Sequence, residues 1–214
     1  MGKIWDGVNM GTGLLSGGMA TANSIVGMTG ASDSDKAKLG ITTGVTDTVS
    51  SGLGIASSIK DLKESEDEWD KAQGSLGLLS NVAGAASGVA GIAGGAMSLS
   101  GNESGAETAE KVGNISGIVG GAAGAGAAGL GLRKAIKEKD SGGKFDAITG
   151  LLGSLTGMGS GIAGLFGDKG GLASGILGAA SGVFGMLGSL KDVFFPQKPD
   201  SAQNANQNQT GDTP

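Results

Sequence analysis

Few residues of this chain have the types and spacing that chemistry requires. Gly124-Ala125-Gly126-Ala127-Ala128-Gly129 matches the dinucleotide pattern G-x-G-x-x-G. That pattern cradles a pyrophosphate only where a strand leads in and a helix begins within the turn. Here it lies inside a Gly/Ala series that continues on both sides, so composition accounts for the match and no cofactor is assigned. His and Cys are absent, which removes imidazole bases, thiol nucleophiles and the usual zinc ligands. The acid-rich stretch 63–71 lacks the spacing of a calcium loop. The chain therefore reads as a non-enzyme, with no catalytic, metal-binding or cofactor-binding residue.

Two other polar features remain. Arg133, Lys134, Lys137 and Lys139 form the most basic cluster, at the end of a long helical stretch. It suits the negative end of that helix dipole, or contact with anionic lipid headgroups. Asp47 stands alone within an otherwise uncharged segment, as a polar contact between helices or as a pore-lining group.

The elements around these residues are set by small side chains. Gly84, Gly88, Gly91 and Gly95 recur in alternating steps of four and three. The same steps join Gly113, Gly117, Gly120 and Gly124, then Gly157, Gly161 and Gly164. The last run is Gly171, Gly175, Gly178, Gly182 and Gly185. A mean step of about 3.5 residues keeps each series on one helix face, where bare backbone lets helices approach closely. Gly contributes 46 of 214 residues, but without the three-residue period of collagen. Aromatic residues make up 3% of the chain, too few for a core of large side chains.

Charges fall in short islands, and the stretches between them predict six helices near 5–29, 35–64, 66–99, 105–139, 144–166 and 171–194. Ser32 and Ser34 are candidate N-caps for the second helix. Gly101 and Gly142-Gly143 are candidate helix terminators. Trp5-Asp6, Trp69-Asp70 and Phe145-Asp146 open the odd-numbered helices, and Lys60-Asp61, Arg133-Lys134 and Lys191-Asp192 close the even ones. The expected fold is all-α: three tandem antiparallel hairpins, about 1–64, 65–140 and 141–195, packed through Gly/Ala/Ser seams. The Gln/Asn-rich segment 196–214 reads as a disordered polar tail.

The helical stretches are apolar nearly all round, which suits a bilayer about 30 Å thick. Dilution by Gly, Ser and Thr leaves insertion of any one helix weakly favoured. Trp69-Asp70 with Gly77-Leu78-Leu79-Ser80, and the run from Gly171 to Asp192, resemble glycine-zipper hairpins of bacterial polymorphic-toxin and contractile-injection-system-associated proteins. The resemblance implies delivery, membrane perturbation or packaging. The resulting expectation is a membrane-active bacterial protein that inserts, and oligomerises with itself, as a pore or translocation element. The alternative is a soluble structural or cargo protein of a secretion or contractile injection apparatus. Expected partners are the lipid bilayer, further copies of the chain, or a protein of that apparatus. Net charge of −5 argues against nucleic acid, and no small-molecule substrate is expected. The start of the chain lacks a cleavable signal pattern, so the expected location is a membrane, or outside the cell by a signal-independent route. The soluble alternative places it in the cytoplasm.

Overall fold

The computed structural model describes residues 2–195, apart from the side chains of residues 2–9, 168 and 192. The predicted tail at 196–214 and the Trp5 side chain lie outside the described residues. Six long helices carry the fold: α1 (Gly2–Met28), α2 (Asp33–Glu64), α3 (Glu68–Leu99), α4 (Glu103–Lys137), α5 (Ser141–Gly164) and α6 (Gly171–Ser189). A 3-10 turn (Gly167–Lys169) precedes α6, and a four-residue helix α7 (Lys191–Phe194) follows it. No strand occurs among the described residues.

Local chemistry sets most of the helix ends. Ser32 caps α2, its hydroxyl accepting from the Asp35 amide, and Asp33 and Asp35 face the positive end of the dipole. Asp67 and Asn102 cap α3 and α4 in the same way. α3 ends at Gly101, whose φ of 77° allows the Asn102 amide to reach back to the Met97 carbonyl.

The end of α4 corrects the sequence reading. Gly142-Gly143 do not terminate a helix; they lie in the first turn of α5. The terminator is Lys139, which takes φ 57° so that the Asp140 amide bonds the Ala135 carbonyl. The glycines are small for a packing reason. A methyl on Gly143 would lie 3.1 Å from the Ala135 Cβ, and one on Gly142 3.2 Å from the Phe195 Cβ. The predicted sixth helix, 171–194, is likewise interrupted at Leu190, between α6 and α7. This bend brings Phe194 and Phe195 onto Phe145, with ring centroids 5.9 and 5.5 Å apart.

Consecutive helices run antiparallel and pack side by side, and α1 also packs along α6. The six helices thus form a closed up-and-down ring. No helix packs extensively on any long helix other than its two neighbours. One end of the ring holds the loops 65–67 and 138–140 together with α7; the other holds 29–32, 100–102 and 165–170. Among the described residues the buried apolar side chains are all alanines: Ala37, Ala83, Ala90, Ala109, Ala123, Ala135 and Ala147.

Candidate functional site

Two kinds of interface alternate around the ring. α2/α3, α4/α5 and α6/α1 meet backbone to backbone. A methyl on Gly44 would lie 2.5 Å from the Gly88 carbonyl oxygen, and one on Gly88 2.7 Å from the Gly44 carbonyl oxygen. Gly17 and Gly182 stand in the same reciprocal relation, the first 2.6 Å from its partner's carbonyl by this measure. Between α4 and α5, methyls on Gly121 and Gly161 would each lie 2.7 Å from a backbone oxygen, of Ser154 and Asn114 respectively. Any side chain at these positions would hold the helices apart.

Hydroxyl groups stitch the other three interfaces. Across α3/α4, Ser80 donates to the Gly120 carbonyl (3.0 Å) and Ser87 to that of Gly113 (3.3 Å). Across α5/α6, Ser160 and Ser174 donate to each other's carbonyls at 2.9 and 3.0 Å, and Ser181 donates to Gly153 at 2.9 Å. Across α1/α2, Ser16 donates to the Asp47 carboxylate at 2.5 Å. The serine-stitched interfaces lie within the hairpins read from the sequence. The backbone-to-backbone contacts lie between them.

Of the seam residues, Gly84, Gly88, Gly91 and Gly95 face α2, while Gly113 and Gly120 face α3. Gly124 lies between Ser154 and Ser80, and Gly157 meets Ser181. Gly161 and Gly164 pack on Asn114 of α4. Gly175, Gly178 and Gly182 meet α1 at Met28, Ser24 and Thr21. Three members meet no other element: space around Gly117, Gly171 and Gly185 is open to 4 Å. Gly117 and Gly185 instead line the ring interior.

That interior is a cavity of about 1000 Å³, walled by all six helices. Its lining is small and polar. Ser16 comes from α1; Asp47, Ser50, Ser51, Ser57 and Asp61 from α2; Ser80, Asn81 and Ser87 from α3; Ser116 from α4. α5 adds Asp146, Thr149 and Ser154, and α6 adds Ser181 and Ser189. Met10 and Phe184 are the large apolar residues among the described lining. A second cavity of about 350 Å³ shares Asp146 and Gly150 with the first and reaches Glu138 and Asp140 at the end with the 138–140 loop. Asp47, read from sequence as a polar seam contact or a pore-lining group, accepts from Ser16 of α1 and lines this cavity.

The outside is the reverse. Large apolar side chains face outward from every long helix: Leu15, Ile25, Val45, Val49, Val82, Val89, Ile115, Val119, Leu152, Leu155, Leu172 and Ile176 among them. Leu15 is 63% exposed and Leu172 66%. Antiparallel closure also sorts the charges. The islands around Lys60–Lys71, Arg133–Asp146 and Lys191 gather at one end, and Asp33–Lys38 and Glu103–Lys111 at the other. Between these collars each helix is uncharged except for the inward-facing Asp47. Stretches 39–59 and 112–132 each span about 30 Å at 1.5 Å per residue. α3, α4 and α6 are each long and apolar enough to cross a membrane.

Half of the basic cluster is engaged within the chain. The Arg133 guanidinium sits 4.4 Å above the Trp69 ring, and Lys134 donates to both Asp70 carboxylate oxygens at 2.8 and 2.9 Å. The two residues pin the end of α4 to the start of α3. Lys137 and Lys139 are exposed on the same collar. Gly124–Gly129 lies wholly within α4, without the strand-to-helix turn a dinucleotide needs. The described residues hold no cluster of acidic side chains suited to a metal ion.

Sequence reasoning missed the serine face that forms the lumen and the α1/α6 contact that closes it. A signal for the first was present. Ser50, Ser57, Asp61 and Asp47 recur at helical spacing along α2 and, with the serines of the other helices, could have been read as a second, polar stripe.

Fold and site together define a class: a closed six-helix ring with an apolar shell, a polar interior and a charged collar at each end. Comparison with protein-family models, curated proteins and solved structures finds no match.

Proposed function

We propose that this is a non-enzymatic membrane-active protein, whose ring inserts with its apolar shell against lipid and its polar lumen inside. The observation carrying this reading is the inversion of burial: alanines and hydroxyls inside, leucine, isoleucine and valine outside. In water, so extensive an apolar surface is a liability, and patches beyond a few hundred Å² mark membrane or protein contacts. In lipid it costs nothing, while helices hold every interior backbone group in hydrogen bonds.

The ring also suggests how the less apolar helices enter. Each backbone-to-backbone contact joins one of α3, α4 and α6 to one of α2, α5 and α1. Insertion as such pairs lets the more apolar helix carry its partner. The lumen then serves as a pore or translocation path for small hydrophilic solutes, and the bilayer is the principal partner. Lys137 and Lys139 on the collar are suited to anionic headgroups.

Co-flotation of the purified chain with liposomes, with and without anionic lipid, followed by release of dyes of graded size, tests the proposal. Flotation resistant to high salt and carbonate, with release of small dyes, is expected. A chain left at the bottom of the gradient as a stable helical monomer would sink this reading in favour of a soluble structural or cargo protein.

A further inference from the structure

The main cavity is one-sided. Its lining runs from Asp61 and Lys191, near the collar that holds α7, to Ser16, Asp47 and Ser116, which lie midway along their helices. The wall of this vestibule is weakest between α1 and α2. Among the described residues, these two helices pack on each other least of the six neighbouring pairs. Each is tied instead to its other neighbour. Gly13 and Gly17 of α1 meet α6, which also sets Gly175 and Gly178 against Met28 and Ser24 of α1. Gly44 and Gly54 of α2 meet α3. α1 is therefore held to α6 and α2 to α3, and the bond from Ser16 to Asp47 spans the seam between these two units. The loop 29–32 joins them at the far collar, with Gly30 at φ 39°. Hinging there parts the two helices widest at the collar toward which the vestibule extends.

Polar and apolar surfaces meet at this seam. Ser16 and Asp47 line the cavity, while Leu15, Val45 and Val49 of the same turns are exposed. Resting on the reading of the ring as membrane-inserted, we propose that α1 and α2 part as a lateral gate. Through it the vestibule takes the headgroup of a zwitterionic phospholipid, whose chains stay in the bilayer. A slit that is polar within and apolar without matches an amphipath, since each part of the molecule keeps the surroundings it prefers. A headgroup of phosphate and ammonium also matches the two signs of charge in the lining, Lys191 against Asp47 and Asp61. Ser50, Ser51 and Ser116 form no hydrogen bond among the described residues, so their hydroxyls are available to phosphate oxygens.

The test uses the full chain in phosphatidylcholine vesicles doped with phosphatidylcholine that carries a photoreactive diazirine in its headgroup. Adducts formed on irradiation are mapped by mass spectrometry. They are expected at the collars and, as the diagnostic result, at Ser50, Ser51 and Ser116 inside the vestibule. The chain has no Cys, so Ser16→Cys/Asp47→Cys places one thiol on each side of the seam. Joining the two with a short bismaleimide should cut the vestibule adducts several-fold, relative to the same variant capped with N-ethylmaleimide, and leave the collar adducts unchanged. Ser16→Ala, which releases the seam, should raise the vestibule adducts several-fold. Wild-type adducts confined to the collars and outer face overturn the proposal, as does a joined chain labelled inside as strongly as the capped one. If the double variant does not fold, unchanged vestibule labelling in Ser16→Ala overturns it instead. A chain that does not float with the vesicles ends the membrane reading and this proposal together. One that floats without vestibule adducts ends this proposal alone.

Discussion

The α2/α3 and α1/α2 interfaces share a helix and are built on opposite principles. Along α2/α3, Gly44 and Gly88 bring backbones so close that neither position has room for a methyl group. Along α1/α2 none of the described glycines of either helix meets the other, and a bond from Ser16 to Asp47 joins them. The first contact is steric and tolerates no added volume. The second is polar and opens onto the lumen. Glycine in a helix interior costs about 0.8–1 kcal/mol relative to alanine. At Gly44 and Gly88 close packing offsets that cost, whereas at Gly52, with nothing within 4 Å, no packing does so.

The largest effect should follow from breaking the steric contact. Gly88→Leu forces a side chain against the Gly44 carbonyl and the Thr48 backbone. We expect a loss of about 3 kcal/mol, at the upper end of overpacking costs, read as a lowered melting temperature in detergent. An unchanged melt would mean that α2 and α3 do not approach as described. Ser16→Ala, at the polar contact, should cost less, about 1.5–3 kcal/mol for a hydrogen bond to a charged group. Its second signature is local. Amide exchange should accelerate in α1 and α2 around residues 16 and 47 while α4 and α5 stay protected. Uniform acceleration would show that the α1/α2 contact has no separate role. The smallest effect, and the only gain, is expected for Gly52→Ala. Its open surroundings leave helix propensity alone to act, with up to about 1 kcal/mol of added stability. A loss there would mean that Gly52 packs against something, such as a second copy of the chain.

Much of the fold was legible in the sequence. Charge islands marked the helix ends, Ser32 announced a cap, and the four-three recurrence of Gly placed small residues on helix faces. The Gly142-Gly143 terminator misled, because glycine that packs and glycine that ends a helix look alike in sequence. The hairpin repeat was visible too. Its close contacts lie between hairpins, however, since a small residue at a given spacing fits a partner on either side. Of the candidate site, Asp47 and the basic cluster stood out as isolated charges. The cavity itself did not, because it exists only where faces of all six helices meet.

The sequence by itself determined that six helices form, that their faces are small, and that charge is confined to their ends. These follow from period, propensity and capping, which act within one helix. Only the tertiary structure decided that α1 closes on α6, which glycines meet a partner and which face the lumen, and that serine lies inside with leucine outside. These depend on which faces meet across the chain, a choice among many similar small-residue surfaces that is settled by closing the ring as a whole.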